Sequence, residues 1–373
     1  MLTDCSCISA SMMDSRSVQP EHSFVRFELR RRVDLVCTVM SAGDFLCQDA
    51  ATPLCEFYAA AGAVCSLSTN CETLLEAARE SFLPIEDPPG SVDFAVRFWV
   101  DYSTSAPPAW PKPYVRGLNH LVFAGFDSAS SILADLRARR VIGRFSAAIG
   151  DDRSYWKAVV FPVLLTIAGA SVGIVELHCS CVAKQKSGLL LVGAGRSGKS
   201  TLAVALAQQG FGFLSDDRTF CSSQKGKLSA WGLGTTLKLR SDAGNHFSEL
   251  KDKSAIELPN GERGFRFEPE LALGLERVRR CEPRLLVFLE RRENPEFRLA
   301  DLSPEESKAR LEADLMAELP DGAAGQMQVI DKLVELPCCL LQYGGRPQII
   351  AEKLGAHFEQ FDDRAVAGDV SRT

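Results

Sequence analysis

One stretch of the chain declares a chemistry by residue type and spacing: Gly193-Ala194-Gly195-Arg196-Ser197-Gly198-Lys199-Ser200, with Thr201 following. It fits the pattern G-x-x-x-x-G-K-[ST] of a phosphate-binding loop. Glycines let the backbone turn tightly, so that successive N–H groups and the positive end of the next helix converge on a polyphosphate. Lys199 would reach the outer phosphates as a mobile charge, and the Ser200 hydroxyl would hold Mg2+. The apolar run 188–192 suits a buried strand before the loop, and Thr201 to Gln209 suits a helix after it, with Leu202, Ala205, Leu206 and Gln209 at helical spacing.

The same residues also satisfy G-x-G-x-x-G through Gly193, Gly195 and Gly198, and Asp216 lies about where a ribose-binding acid of a dinucleotide site would stand. Lys199-Ser200 weighs against that reading, because a dinucleotide fingerprint needs neither an ammonium nor a metal-binding hydroxyl there. Asp216 and Asp217 close the apolar segment Phe211-Gly212-Phe213-Leu214-Ser215. At the carboxyl edge of a sheet, one such carboxylate can position Mg2+ while the other accepts the proton of an attacking hydroxyl. The plainer reading is an acid pair in a turn. His178, on the segment before the loop strand, would bring an imidazole to the same edge, although a lone histidine on a strand is more often structural. Lys238, Arg240, Arg263 and Arg266 follow, as solvent-facing cations or as neutralisers of phosphate charge.

The elements that must position these groups read as follows. Residues 24–39 alternate apolar and polar in two strand-like runs; Cys71 to Phe82 is helical with Leu74, Leu75 and Ala78 inward; Val92 to Val100 alternates again. Ala106 to Pro113 must be extended because of its prolines, with Trp110 packed on a sheet. His120 to Ala124 predicts a strand, and Ser128 to Arg140 a helix with a basic last turn. Ala158 to Val175 carries no charge over 18 residues, but Pro162, Gly169 and Gly173 favour a buried helix from Ser154 to about Ala170 and then a strand, Val172 to Cys181, over a membrane span. A turn at 183–187 leads to the loop strand. Further strands are expected at 228–231, 237–239 and 284–290. Ser303-Pro304-Glu305-Glu306 is a capping box opening a helix to about Leu319, and a last helix begins at Pro347.

Length and composition set the frame. The 373 residues suggest two domains, and 46% hydrophobic content is ample for real cores. A net charge of −6 argues against a nucleic-acid surface. Thirteen cysteines without a C-x-x-C pair suggest neither a disulfide framework nor a structural zinc site, and read as buried free thiols of a cytoplasmic protein. The first residues lack the basic and apolar regions of a signal peptide. The expected organisation is a disordered, Ser-rich 1–23, a small α+β domain over 24–150, the loop-bearing α/β domain over 151–358 and a polar tail over 359–373. No membrane partner is expected, and an oligomer of this chain is compatible with the sequence.

His178, the turn, the loop strand, Gly193 to Thr201 and Leu214-Ser215-Asp216-Asp217 resemble, in order and spacing, the catalytic core of the HPr kinase/phosphorylase family. The resemblance implies a phosphoenolpyruvate-carboxykinase-like version of the P-loop core. It also implies His178 assisting at the phosphoryl centre, Lys199 and Ser200 binding nucleotide phosphate and Mg2+, and Asp216 and Asp217 supplying base and metal contacts. Leu228-Ser229-Ala230-Trp231-Gly232-Leu233-Gly234 is similar to the family signature L-E-[IV]-R-G-L-G, with Ser229 and Trp231 where that signature has glutamate and arginine. This departure points away from phosphorylase activity and from HPr as substrate, toward divergent HPr-kinase-related proteins, which include peptide-modifying and free-serine kinases. The expectation is an ATP- and Mg2+-dependent kinase acting on a hydroxyl, with serine in a protein, peptide or small molecule as acceptor. The alternatives are a degenerate nucleotide-binding regulatory protein and a dinucleotide-dependent oxidoreductase.

Overall fold

Two large mixed sheets with helices packed on them make this an α/β protein. The computed structural model describes residues 50–103, 109, 112–234, 236–251, 253–257, 263–294, 296–313, 315 and 323–370, the side chains of 323 and 362–370 excepted. The expected disorder of 1–23, the strands of 24–39 and the Pro-rich connector with Trp110 lie outside the described residues.

The first sheet holds β1 (Leu54–Ala60), β2 (Ala63–Thr69), β3 (Leu83–Ile85), β4 (Phe94–Asp101), β5 (Tyr114–Leu118), β6 (Leu121–Gly125), β7 (Ser131–Asp135) and β8 (Arg140–Ser146), in the order β3-β1-β2-β4-β8-β7-β6-β5. Ala61 and Gly62, both at positive φ, turn β1 into β2. The left-handed conformation at both central residues is what a two-residue hairpin turn requires. Helix α1 (Glu72–Ser81) follows, with Leu74, Leu75 and Ala78 buried. Along β4, Phe94, Val96, Phe98 and Val100 are buried in strict alternation, as the sequence indicates.

Residues 128–140 are not the expected helix. They form β7 and its turn into β8, paired antiparallel from Ser131↔Arg144 to Asp135↔Arg140. The burial has period two: Ile132, Ala134 and Leu136 are inside. Asp135 Oδ1 accepts from the N–H groups of Arg137 and Ala138 at 3.0 and 2.9 Å, closing the turn, and Arg139 takes a positive φ.

Short helices α2 (Ala147–Gly150) and α3 (Arg153–Tyr155) lead through a π-helical turn, Trp156–Val160, into α4 (Phe161–Ala170), whose ten residues are all buried. A helix that is apolar all round belongs inside a core. Among the described residues no helix is long and apolar enough to cross a membrane. The core that α4 shares with the first sheet continues to Phe220, Trp231 and Leu233, beneath the second sheet.

The second sheet contains β9 (Ile174–Leu177), β10 (Cys179–Lys184), β11 (Ser187–Val192), β12 (Gly212–Ser215), β13 (Thr219–Gln224) and β14 (Lys227–Trp231). A small three-stranded sheet of β15 (Leu237–Arg240), β16 (Ile256–Glu257) and β17 (Arg263–Phe267) interrupts it before β18 (Arg280–Arg291), β19 (Phe297–Asp301) and β20 (Cys338–Tyr343) complete it. The order is β12-β10-β11-β18-β14-β13-β9, with β20 beside β18 and β19 on β20. Helix α5 (Lys199–Ala207) and α9 (Pro347–Val370) cover one face; α6 (Pro269–Leu273) follows β17, and α7 (Pro304–Glu312) and α8 (Ala323–Val334) join the other core. Ser303 caps α7 by accepting from the Glu306 N–H at 3.2 Å, and the rest of the helix expected to Leu319 lies largely outside the described residues. Helix α9 continues to Val370 instead of giving way to a frayed tail at 361. No proline or glycine stands between Gly355 and Gly368, so nothing in the residue types stops it.

The expected single strand from Val172 to Cys181 is two strands. Pairing passes from β13, the partner of β9, to β11 and β12, the partners of β10, and His178 sits at the step.

Candidate functional site

Strand pairing decides which side chains meet. Strand β10 runs antiparallel to both β11 and β12, with Cys179 opposite Val192 and Cys181 opposite Ser215. His178, Gly193 and Asp216, each next to one of these ends, therefore emerge at the same edge of the sheet. Strands β18 and β20 are parallel to β11, which brings Tyr343 to that edge too. This is the carboxyl edge, where α/β sheets bind ligands.

The loop is held in shape by glycines and by one distant tyrosine. Arg196, exposed at the tip, and Gly198 both take positive φ, 69° and 88°, and Gly198 is the N-cap of α5. A β-carbon at Gly193 would lie 2.6 Å from Ser197 Oγ, and one at Gly198 would run into the Tyr343 hydroxyl. At Gly195 it would meet nothing within 4 Å, so that glycine leaves the mouth open instead of relieving a clash. The Tyr343 hydroxyl donates to the Ser197 carbonyl at 2.5 Å, and burial pushes the phenol up to about 12. Lys199 is 6% exposed and its Nζ donates to the carbonyls of Gly193 and Ala194, at 2.6 and 3.3 Å. The N–H groups of the first turn of α5, which includes Lys199, Ser200 and Thr201, have no intrahelical acceptors. Ser197 Oγ is buried with no hydrogen-bond partner at all. A site with such unspent donors suits a polyphosphate.

The two acids divide into an inner and an outer one. Asp216 is 8% exposed, accepts hydrogen bonds from Ser180 Oγ at 3.0 Å and, at 3.4 Å, from the Lys238 N–H, and has the Ser200 hydroxyl beside it. Burial pushes its carboxyl above the usual range and the Asp217 charge adds to this, while Ser200, Ser180 and the Lys238 N–H pull it back. Asp217 lies outside, at φ 67°, with its Oδ1 3.1 Å from His178 Nδ1. The Arg218 N–H closes the turn onto the Asp216 carbonyl at 2.8 Å, and Arg218 Nε reaches Glu176 Oε1 at 3.2 Å. Thr219 Oγ1 bonds Ser215 Oγ and the Cys179 carbonyl, at 2.6 and 3.0 Å, fixing both strand ends beside the acids.

The candidates read from the sequence thus come together. Ser180, on β10, is not among them; its hydroxyl reaches Asp216 from the strand beside β12. Tyr343 has no local signal. Among the described residues no group of three or more His, Cys, Asp or Glu side chains is arranged to hold a metal. Ser200 and Asp216 still fit Mg2+ as hard oxygen donors, since this ion keeps several waters and takes its remaining ligands from substrate phosphates.

Ser229 and Trp231 have a different occupation. Arg280 Nη2 donates to Ser229 Oγ at 3.0 Å, and its guanidinium lies 5.0 Å from the centre of the Trp231 ring, which is itself core. Gly232 is required because a β-carbon there would strike the Leu214 carbonyl, and Gly234, at φ 67°, lies under the Arg277 guanidinium.

No family model matches this chain, and no curated protein does. Among solved structures the chain is similar to the Hpr(Ser) kinase/phosphatase from Coxiella burnetii, at 14% identity over 52% of this chain and 98% of that one, with a TM-score of 0.28. That is a distant likeness on which neither the fold nor the chemistry described above depends.

Proposed function

We propose that the protein is an ATP- and Mg2+-dependent phosphotransferase acting on a hydroxyl, serine being the acceptor in a protein, a peptide or a free amino acid. The observation that carries this is the two-tier acid arrangement at the loop: buried Asp216 beside Ser200 and held by Ser180, and His178 paired with exposed Asp217 at 3.1 Å. Phosphoryl transfer is mostly positioning and charge stabilisation. The backbone of 194–201 would cradle the polyphosphate, and Lys199 would exchange its two carbonyl acceptors for phosphate oxygens. Ser200 and Asp216, with Asp217 near, would hold Mg2+, which supplies neutralisation of the phosphate charge. Asp217, oriented by His178, would take the proton as the acceptor oxygen bonds to the γ-phosphorus and the bond from that phosphorus to the ADP oxygen breaks.

The dinucleotide reading is weakened, because Asp216 already accepts from Ser180 Oγ and the Lys238 N–H at the base of the loop. A nucleotide-binding regulator without catalysis is the second reading, favoured by Ser229 and Trp231, which pack on Arg280 and bring no extra carboxylate or guanidinium to the phosphates. Labelled ATP offered with free serine and serine peptides separates the two. Transfer supports the kinase, and Mg-ATP binding without transfer to any acceptor supports the regulator. Unchanged Mg-ATP affinity in Lys199→Ala would remove both.

A further inference from the structure

The small sheet beside Asp216 has two unlike faces. Leu237, Leu239 and Phe265 point inward and belong to the core under α5. The other face carries Lys238, Arg240 and Arg266, all exposed, and no acidic side chain of these strands, Glu257 being paired with Arg263 one register position away. Lys238 stands directly opposite Arg266, and Arg240 opposite Gly264, which in turn faces the exposed Ile256 of β16. Like charges directly opposite in an antiparallel pair repel and lower sheet stability. Among the described residues neither Lys238 nor Arg266 has an acidic partner; Arg266 Nε donates to Thr236 Oγ1 at 3.1 Å, and the next acid along the chain, Glu268, faces Lys157 at 3.9 Å. Lys238 set opposite Arg266, neither paired with an acid among the described residues, is in a chain of net charge −6 a cost to the fold that an anionic ligand relieves. Its place is informative as well: the Lys238 N–H reaches Asp216 Oδ2, so the strip starts at the acids.

We infer that Lys238, Arg240 and Arg266 form the docking surface for an acidic peptide segment that flanks the accepting hydroxyl. This deepens the phosphotransferase reading and rests on it for the role of the bound segment. Same-face residues repeat every ~7 Å along a strand and lie ~5 Å apart across it, so the strip matches two or three carboxylates of an extended chain better than one small anion. Ile256, at the far side, adds an apolar contact.

The test uses the full chain, Mg-ADP and three fluorescein-labelled peptides, each with one serine flanked by glutamates, by glutamines or by lysines. The glutamate peptide is expected to bind about tenfold tighter than the glutamine one, with the difference shrinking as salt is added. Lys238→Glu with Arg266→Glu should reverse the order in favour of the lysine peptide, and Lys238→Gln with Arg266→Gln should level it, the unfolding temperature serving as the check on folding. Equal binding of the glutamate and glutamine peptides, or a preference untouched by the charge reversal, overturns the inference. Phosphorylation of neutral and acidic peptides with equal efficiency also overturns it while sustaining the kinase. Charge-selective binding without phosphate transfer sustains the surface and defeats the kinase.

Discussion

Two buried aspartates, one beside each large sheet, look alike and are built differently. Asp127, 3% exposed, accepts from the Ala129 N–H, Ser130 Oγ and Ser146 Oγ at 2.6, 2.8 and 3.0 Å. Asp216, 8% exposed, accepts from Ser180 Oγ and the Lys238 N–H, with the Ser200 hydroxyl beside it. The donors of Asp127 lie within one sheet corner, so the carboxylate stitches a local turn. The donors of Asp216 come from β10 and β15, and its neighbour Ser200 from α5, three elements that meet at the loop edge. Burial and hydrogen bonding alone do not separate a stitching acid from a candidate catalytic one; the origin of its partners does.

The strongest way to break this comparison is to neutralise each acid. Asp216→Asn should lower Mg2+-dependent transfer by at least about 100-fold. It should also raise the unfolding temperature at neutral pH, because a carboxyl whose folded pKa is raised opposes folding when charged. Asp127→Asn should instead destabilise the fold by roughly 1–3 kcal/mol and leave Mg-ATP affinity intact. Matching stability changes in the two variants, read by thermal melts, would abolish the distinction.

A smaller effect sharpens the difference between glycines that shape the loop and one that opens it. Gly198→Ala, at φ 88° and against Tyr343, should cost more than about 1 kcal/mol and remove nucleotide binding, whereas Gly195→Ala should leave stability within about 0.5 kcal/mol of the parent. Calorimetry on both variants with and without Mg-ATP decides this. Tyr343→Phe deletes one hydrogen bond to the loop, and should weaken Mg-ATP binding by about fivefold, near 1 kcal/mol, with the melting temperature little changed.

The smallest effect is the pH dependence that separates the acids. With its folded pKa raised, Asp216 binds more protons in the native than in the unfolded chain between the ordinary carboxylate range and its raised value. Stability contributed there is fully present below the ordinary value and falls as pH rises through that window. Melting curves of the parent and Asp216→Asn should diverge across it, and parallel curves would assign the shift elsewhere.

The parts of the site legible in the sequence are those confined to short range. Loop, helix and the Asp216-Asp217 strand end lie within one strand–loop–helix–strand unit, and each residue type is one that the proposed phosphate and metal would call for. The hairpin at 128–146 is not legible in this way. Ala134, Leu136, Arg137 and Ala138 favour a helix locally, while pairing of β7 with both β6 and β8 imposes a strand. The break at His178 depends on which neighbour each half-strand finds, and Tyr343 lies 146 residues beyond Ser197. Such facts belong to the assembled sheet.

That tyrosine has a consequence for biosynthesis. Its hydroxyl completes the loop from the last strand of the sheet, so a chain emerging from the ribosome has all of Gly193 to Thr201 long before it has the strand and the residue that fix their shape. The nucleotide capture proposed for this protein would accordingly come only after β20 has been made, and a nascent chain halted before residue 343 should not retain ATP.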